Sequence, residues 1–307
     1  MRILEEMIGI VIDKGQKDEI ERIYRCWFNK YLKPFKETIN KDEKLKKIIF
    51  GENEYNEEDL FNFLLMDTES LKVVKEKCDT NNTIQLKKET VVYLEKIYKN
   101  FRSSQAARIV EKLKILSCPY CNQNGLITYK KDGKRKFAGE LDHFYNKSKY
   151  PELMICLYNL IPSCGVCNRL KKEKNEKIIN PYDILYKSNI TFKTTFDDEC
   201  KLDYLFGKSD HFKIEIDKNK LSDEDLNEID LLHLNERYKQ SEDYAQEIIL
   251  KSMAYDPIYT EKISKMFNES SEEKLNQYLY GYRDNHLKRS FSKFNQDIMN
   301  EFKGRKE

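Results

Sequence analysis

The sequence lacks any apolar run that approaches the ~20 residues of a membrane-spanning helix. Its first residues mix acidic side chains into a short apolar stretch without a small-residue cleavage site, so they do not resemble a secretion signal. A large excess of either charge is also missing, because the formal net charge is +2. We therefore expect a cytoplasmic protein with no membrane segment, in which any contact with nucleic acid depends on a local basic patch.

Glycine and proline are scarce, and they are concentrated in one part of the chain. Four of the ten glycines and four of the six prolines lie between residues 117 and 183, which indicates dense turns there. The flanking regions carry apolar residues at three- and four-residue spacing, which is typical of amphipathic helices. The predicted fold is mainly α with a small central α+β module, in three parts: a helical region 1–117, the module 118–183 and a helical region 184–307.

The same patterns predict where individual helices and strands lie. In the N-terminal region we expect helices over 17–38 (ended or bent by Pro34), 57–78 and 86–116 (broken near Ser103 and Ser104). In the C-terminal region we expect a strand at 211–217 and helices over 222–254, 257–267 and 271–303. Within the module, the Asp132-Gly133 pair between two extended runs predicts a β-hairpin.

Eight cysteines are present, and four of them form two CxxC pairs. Zinc prefers four soft ligands at the corners of a tetrahedron, and two tight turns with two ligands each provide them. Without a secretion signal, two such pairs in one module favour metal ligation over disulfides or a redox dithiol. We predict a structural zinc site, since four cysteine ligands leave no open position, made by Cys118, Cys121, Cys164 and Cys167. Idle or buried thiols are expected at Cys26, Cys78, Cys156 and Cys200.

Between the two pairs lie Asp142 and His143, followed by Asn159, and Asn168 comes directly after Cys167. Hydrolysis of a phosphodiester needs an activated water, a cation for the developing charge and a group that orients the base. A histidine can take a proton from water near neutral pH, and carboxylate and amide oxygens suit Mg²⁺. Because adjacent strand residues point to opposite faces, His143 is expected at a strand end, with Asn168 on a following helix beside Asp142.

Four motifs in the module resemble those of the zinc-containing HNH (His-Me finger) endonuclease family, which has a ββα-metal core: C-P-Y-C, L-D-H-F-Y-N-K-S-K-Y-P, Y-N-L-I-P-S-C-G-V-C-N and N-P-Y-D. The resemblance implies that His143 is the general base. It also implies that Asp142 and Asn168 bind one catalytic Mg²⁺ or Mn²⁺, and that Asn159 braces the loop and orients His143. Asn168 stands where many members of the family have a second histidine.

Basic residues surround this constellation in a chain that is otherwise nearly neutral. Lysine and arginine bind the phosphate backbone of nucleic acids without reading the bases. Because they flank the expected base and metal ligand, the predicted phosphate contacts are Lys147, Lys149, Arg169 and Lys171. The chemistry attacks either phosphodiester, so DNA is favoured as the substrate and RNA stays open.

Two segments outside the module, 101–113 and 231–238, are similar to the flanks of HNH proteins from bacterial anti-phage defence systems, most nearly the HNH component of Septu-like and retron-associated systems. This similarity implies a partner ATPase. Two other functions stay open: a zinc-stabilised nucleic-acid-binding module without catalysis, and a structural subunit whose basic face meets an acidic partner. The Asp142-His143 pair favours the nuclease, because a pure binding module has no evident use for it.

Overall fold

The computed structural model describes residues 9–80, 85–171, 177–183, 188–195, 203, 212–255, 257–266 and 272–303. Over these residues the chain is mostly helical, with small antiparallel sheets of two strands each. The prediction of a mainly helical fold is therefore confirmed. Buried apolar side chains from all three predicted regions form one contiguous core. No helix in the described part of the chain is long and apolar enough to cross a membrane.

The N-terminal region contributes short helices that pack around a stripe of aromatic and aliphatic side chains. Their bounds are α1 Lys14–Phe28, α2 Leu32–Lys41, α3 Glu43–Phe50, α4 Glu57–Leu64, α5 Thr68–Thr80, α6 Lys88–Ser104 and α7 Ala106–Leu113. Asp13 begins α1 with a capping box, in which its side chain accepts the Gln16 N–H at 2.8 Å. The spacing predicted one buried stripe over Ile20, Ile23, Tyr24, Trp27, Phe28 and Tyr31. The first five are buried in α1, whereas Tyr31 is half-buried in the turn that follows.

Two helix boundaries in this region differ from the predictions. The predicted helix 17–38 is interrupted by a 3₁₀ turn over Asn29–Tyr31, before Pro34. Pro34 itself lies in the first turn of α2, where backbone N–H groups have no helical partner and a missing one costs little. The predicted helix 57–78 is two helices, α4 and α5. The predicted break near Ser104, between α6 and α7, is confirmed.

The central module contains two antiparallel strand pairs and one short helix. Strands β1 (Thr128–Lys131) and β2 (Lys134–Phe137) form the predicted hairpin. Its turn residues Asp132 and Gly133 have φ angles of 49° and 71°, as a tight hairpin turn requires. Strand β3 (Glu140–His143) pairs with β4 (Leu160–Ser163), and helix α8 (Gly165–Lys171) follows directly.

Gly139 allows the close approach of chains at the start of β3. A Cβ atom at this position would lie 2.9 Å from the Ser163 carbonyl oxygen and would also collide with the Phe137 ring. Glycine is therefore needed for the register that pairs Glu140 with Ser163. The same register brings His143, the last residue of β3, opposite Leu160.

The C-terminal region combines one more strand pair with helices. Strand β6 (Lys213–Ile216) falls within the predicted strand 211–217, but its antiparallel partner β5 (Phe192–Thr195) was not predicted. The helices are α9 Asp223–Leu232, α10 Leu234–Tyr238, α11 Glu242–Ala254, α12 Pro257–Met266, α13 Glu272–Tyr280 and α14 Ser292–Lys303.

The predictions of two long helices in this region are wrong. The predicted helix 222–254 ends first at His233, which takes a left-handed conformation with a φ of 49°. The predicted helix 271–303 is interrupted between Gly281 and Phe291, whose φ angles are 73° and 60°. Left-handed residues end helices because they turn the chain away from the helix axis.

Asn122 joins the first CxxC turn to the C-terminal helices. Its buried side-chain amide donates to Ser117 Oγ at 2.8 Å and to the carbonyl oxygens of His286 at 2.8 Å and Arg289 at 3.1 Å. Its side-chain oxygen accepts the Lys293 N–H at 3.0 Å. The backbone of Asn122 has a φ of 45°, a conformation that asparagine tolerates better than most residues.

We predict that Asn122→Ala lowers the free energy of unfolding by about 3 kcal/mol, because buried polar groups lose their partner and alanine is strained at positive φ. Thermal and denaturant unfolding measure the change. The control is Asn62→Ala at an exposed position of α4, which should stay within about 0.5 kcal/mol of the original. Equal stability of the two variants would contradict the role of Asn122.

Candidate functional site

Four cysteines from two distant turns meet in the module. Cys118 and Cys121 lie in the turn after α7, and Cys164 and Cys167 lie at the beginning of α8. All four are buried, and their sulfur atoms lie within 4.8 Å of one another. A tetrahedral zinc site with Zn–S bonds of ~2.3 Å has sulfur atoms about 3.8 Å apart, so the spacing fits such a site. The cluster can therefore bind a metal ion such as zinc.

Hydrogen-bond donors surround the sulfur atoms of the cluster. Asn124 Nδ2 lies 3.3 Å from Cys164 Sγ, Arg237 Nη1 lies 3.4 Å from Cys167 Sγ, and the Cys164 N–H donates to Cys118 Sγ at 3.4 Å. Hydrogen bonds among the four thiols hold the pKa of Cys164 well below its ordinary value and lower the pKa of Cys121 to about 7, whereas burial raises the pKa of Cys118. Donors and a nearby guanidinium stabilise thiolates, which are the form that binds metal.

The remaining described cysteines lie apart from the cluster. Cys78 and Cys156 are buried, and Cys26 is exposed. Burial raises the pKa of Cys78 to about 11 and also raises the pKa of Cys156, so both thiols are protonated at neutral pH. Cys200 lies outside the described residues.

Asp142 lies in β3 with its side chain directed towards α8. Its Oδ2 accepts the Tyr120 hydroxyl at 2.7 Å and forms an ion pair with Lys171 Nζ at 3.0 Å. Its Oδ1 has no hydrogen-bond partner among the residues that the structure describes. A carboxylate with one oxygen fixed by two donors and the other free is oriented to act as a metal ligand.

Lys171 is a buried residue whose ammonium group contacts three oxygen atoms. Besides Asp142, it donates to the carbonyl oxygens of His143 at 3.2 Å and Phe144 at 2.8 Å. Its side chain is 6% exposed. The three donors of the ammonium group thus have three oxygen acceptors. This placement corrects the prediction that Lys171 contacts phosphate, because the ion pair draws the ammonium group inside the module.

His143 ends β3 on the side opposite to Asp142. Its Nε2 lies 3.0 Å from the Met154 carbonyl oxygen, and its ring lies 4.4 Å from the Tyr98 ring, centre to centre. A carbonyl only accepts, so Nε2 carries the hydrogen and the neutral ring keeps a lone pair on Nδ1. Burial, with the charge of Lys147, lowers the pKa of His143 to about 3, so the imidazole is neutral at pH 7.

Asn159 is fully buried directly before β4 and holds the loop between the two strands. Its Oδ1 accepts the Tyr145 N–H at 2.8 Å. Its Nδ2 donates to the carbonyl oxygens of Tyr145 at 3.2 Å and Leu153 at 3.0 Å. Asn159 thereby holds the loop at Leu153. The next residue, Met154, provides the carbonyl oxygen that contacts the His143 ring.

Asn168 lies on α8 one turn before Lys171. Residues three apart on a helix share a face, so Asn168 is on the side of α8 that meets β3. The residue is half-buried, and its side-chain amide forms no hydrogen bond within the described part of the chain. Its amide oxygen is therefore available as a ligand, one helical turn from Lys171.

The other predicted phosphate contacts lie at the surface around the module. Lys147 Nζ is 3.8 Å from Glu95, and Lys149 Nζ is 3.4 Å from Asp79. Both lysine side chains are more than a third exposed, at 35% and 45%, so solvent screens these pairs. Arg169 is exposed and has no ion-pair partner among the described residues.

A cleft of about 550 Å³ opens beside Lys171. Its walls come from α5, the loop after β3, residues 177–183 and α9. Phe144 and Tyr145 line the cleft together with Lys149. The lining also carries acidic side chains, from Glu69, Glu76, Asp183 and Glu224, so the cleft has mixed charge. Its aromatic rings offer faces on which a base can stack.

Three groups at the site were missed by the sequence analysis: the Tyr120 hydroxyl, the Tyr98 ring and the Met154 carbonyl. Tyr98 belongs to the aromatic stripe of α6 and carried no signal beyond that of a core residue. Tyr120 lies between the first two cysteines, a position that the metal motif does not constrain. A backbone carbonyl has no sequence signal at all.

No family model, no curated protein and no solved structure matches this chain. Its function therefore has to be inferred from its own residues and their geometry.

We predict that the purified protein contains about one equivalent of bound metal per chain at the four-cysteine cluster. Cys164→Ser should lose most of it and unfold at a lower temperature, because metal binding contributes to folding. Elemental analysis and thermal unfolding measure both effects. Cys26→Ser, at the exposed cysteine, is the matched control and should behave like the original protein. Full metal content in Cys164→Ser would show that the cluster is not the binding site.

Proposed function

We propose that this chain is a metal-dependent endonuclease of the HNH type, which hydrolyses phosphodiester bonds in nucleic acids. The observation that carries the proposal is the order β3, β4, α8 directly adjoining the four-cysteine cluster. Two antiparallel strands followed by a helix support a ββα-metal module. In it, Asp142 faces the helix and His143 ends the strand, so that a carboxylate and a neutral imidazole come from adjacent residues.

In this proposal His143 is the general base. The Met154 carbonyl fixes its Nε2–H, so Nδ1 takes the proton from the attacking water while the phosphorus–oxygen bond of the leaving group breaks. A base with a pKa of about 3 is weak in the free protein.

The oxygen atoms that would hold the catalytic cation are Asp142 Oδ1 and the Asn168 amide oxygen. Both are hard donors without a hydrogen-bond partner in the described residues, and so small a protein ligand set fits Mg²⁺ or Mn²⁺, which retain bound waters. Such an ion, when bound, stabilises the charge that develops on the phosphate. The four-cysteine cluster would hold a structural zinc, because four thiolates leave no open coordination position.

Nucleic acid would reach the site along the surface that carries Lys147, Lys149 and Arg169. These side chains are exposed or partly exposed, and their contacts to phosphate would not depend on base sequence. The adjacent cleft, lined by Phe144 and Tyr145, offers rings for a base. DNA is the favoured substrate, and cleavage of RNA is the other outcome that the experiment distinguishes.

We further propose that the nuclease is the effector of a bacterial anti-phage defence system and acts with a partner ATPase. The similarity of segments 101–113 and 231–238 to the flanks of such proteins supports this. The helical regions around the module would then regulate access to it. Cleavage rates of the chain alone and with a co-purified partner test the idea, and equal rates would contradict it.

The proposed nuclease predicts that plasmid DNA or total RNA is cut in Mg²⁺ or Mn²⁺ and that EDTA abolishes cutting. His143→Asn should lower the cleavage rate by at least about 100-fold, the usual contribution of a general base. The matched control is His233→Asn, at the exposed helix end where asparagine tolerates the left-handed backbone, and it should cut like the original protein.

Each of three results would contradict one part of this proposal. Cutting by His143→Asn at the original rate would remove His143 as the base. Cutting that survives EDTA would remove the catalytic metal. Tight binding of nucleic acid without cleavage in any metal, alone or with the co-purified partner, would favour a zinc-stabilised binding module instead.

A further inference from the structure

We infer that Lys171 makes binding of the catalytic cation depend on binding of nucleic acid. Its ammonium group neutralises Asp142, so that a divalent cation binds tightly only when a phosphodiester adds a second negative charge. This inference rests on the proposed nuclease function and assigns Lys171 a regulatory role at the same site.

The first observation is that Lys171 is held firmly beside the metal ligand. Its Nζ lies 3.0 Å from Asp142 Oδ2, 3.2 Å from the His143 carbonyl oxygen and 2.8 Å from the Phe144 carbonyl oxygen. An ammonium group whose three N–H donors all have acceptors gains no hydrogen bond by moving into solvent. Lys171 therefore stays in place as a fixed positive charge when a cation approaches Oδ1.

The second observation concerns the charge of the groups that contact Asp142. Tyr120 contributes a hydrogen bond of 2.7 Å but no charge. Lys171 supplies one positive charge, which cancels the single negative charge of Asp142. Both side chains of the pair are nearly buried, at 6% and 5% exposed, so salt and water screen them little.

A dication at Asp142 Oδ1 thus meets a carboxylate that is already neutralised, and the Asn168 amide adds no charge. Most protein sites for hard cations use uncompensated carboxylates, so the free protein should bind Mg²⁺ or Mn²⁺ weakly. A phosphate of the substrate supplies the missing negative charge and an oxygen ligand. By thermodynamic reciprocity, the cation then strengthens binding of nucleic acid by the same factor.

The test is titration with Mn²⁺, with free Mn²⁺ measured by electron paramagnetic resonance. All proteins carry His143→Asn so that DNA is not cut, and each titration is done with and without a duplex DNA oligonucleotide. In this parent, DNA should tighten Mn²⁺ binding at least about tenfold, within the usual range of coupling between sites. Adding Lys171→Met should tighten Mn²⁺ binding without DNA about tenfold, and should reduce the effect of DNA to less than about threefold.

Two further variants separate charge from packing. Lys171→Arg keeps the positive charge and should retain the coupling. Lys33→Met removes an exposed, remote lysine of α2 and should leave Mn²⁺ binding unchanged. If Lys171→Met does not fold, the parent and Lys171→Arg still decide: equal Mn²⁺ affinity with and without DNA in either of them would overturn the inference.

Different results would contradict the role of Lys171 and the nuclease function. Mn²⁺ affinity without DNA that is unchanged or weaker in a folded Lys171→Met would overturn the role of Lys171, even where the original protein cuts DNA in Mg²⁺. An original protein that neither cuts nucleic acid nor binds it would instead contradict the nuclease itself.

Discussion

The meeting of four thiols within 4.8 Å of one another is the constraint on which the module depends. It joins Cys121 to Cys164 across 42 intervening residues and so fixes both the loop before β1 and the beginning of α8. With these ends held, β3 and β4 can pair in only a narrow range of registers, and Gly139 selects the one observed. Neither strand has more than four residues, too few to be stable in isolation. The helical regions also hold the module in place. Asn122 bonds to the C-terminal region at His286 and Arg289, and Tyr24 of the N-terminal region donates its hydroxyl to the Ile155 carbonyl.

Strand alternation separates the two groups on which the proposed chemistry depends. Asp142 points to α8, where Lys171 and Tyr120 bind one of its oxygens, and His143 points away to Tyr98 and the Met154 carbonyl. In the proposed nuclease, the end of β3 at His143 would let the chain turn so that both side chains act on one phosphate. The base is held by a backbone carbonyl, and Asn159 keeps that carbonyl's loop in place. In this arrangement each reactive side chain is oriented by a neighbour that takes no part in the reaction.

The sequence predicted the parts of this molecule that depend on local patterns. Apolar spacing located most of the N-terminal helices, but it missed α3 and the division of 57–78 into α4 and α5. The Asp132-Gly133 turn located the hairpin, and the CxxC pairs located the cluster. Strand β5 was missed, because it is stabilised by pairing with β6, which lies far along the chain, and no local pattern marks that contact. The break at His233 was missed since left-handed histidines have no strong signal. Lys171 was expected among the phosphate contacts because it flanks the expected metal ligand Asn168. Its burial follows from the facing Asp142, which spacing along the chain does not reveal.

We propose that two metal sites of different chemistry lie within this one module. Anomalous diffraction from crystals grown with Mn²⁺ and a DNA oligonucleotide, recorded at the zinc and manganese absorption edges, tests it most directly. The account predicts a zinc peak between the four cysteine sulfur atoms and a manganese peak beside Asp142 Oδ1 and the Asn168 amide oxygen. A manganese peak elsewhere, with ordered DNA away from His143, would contradict the account.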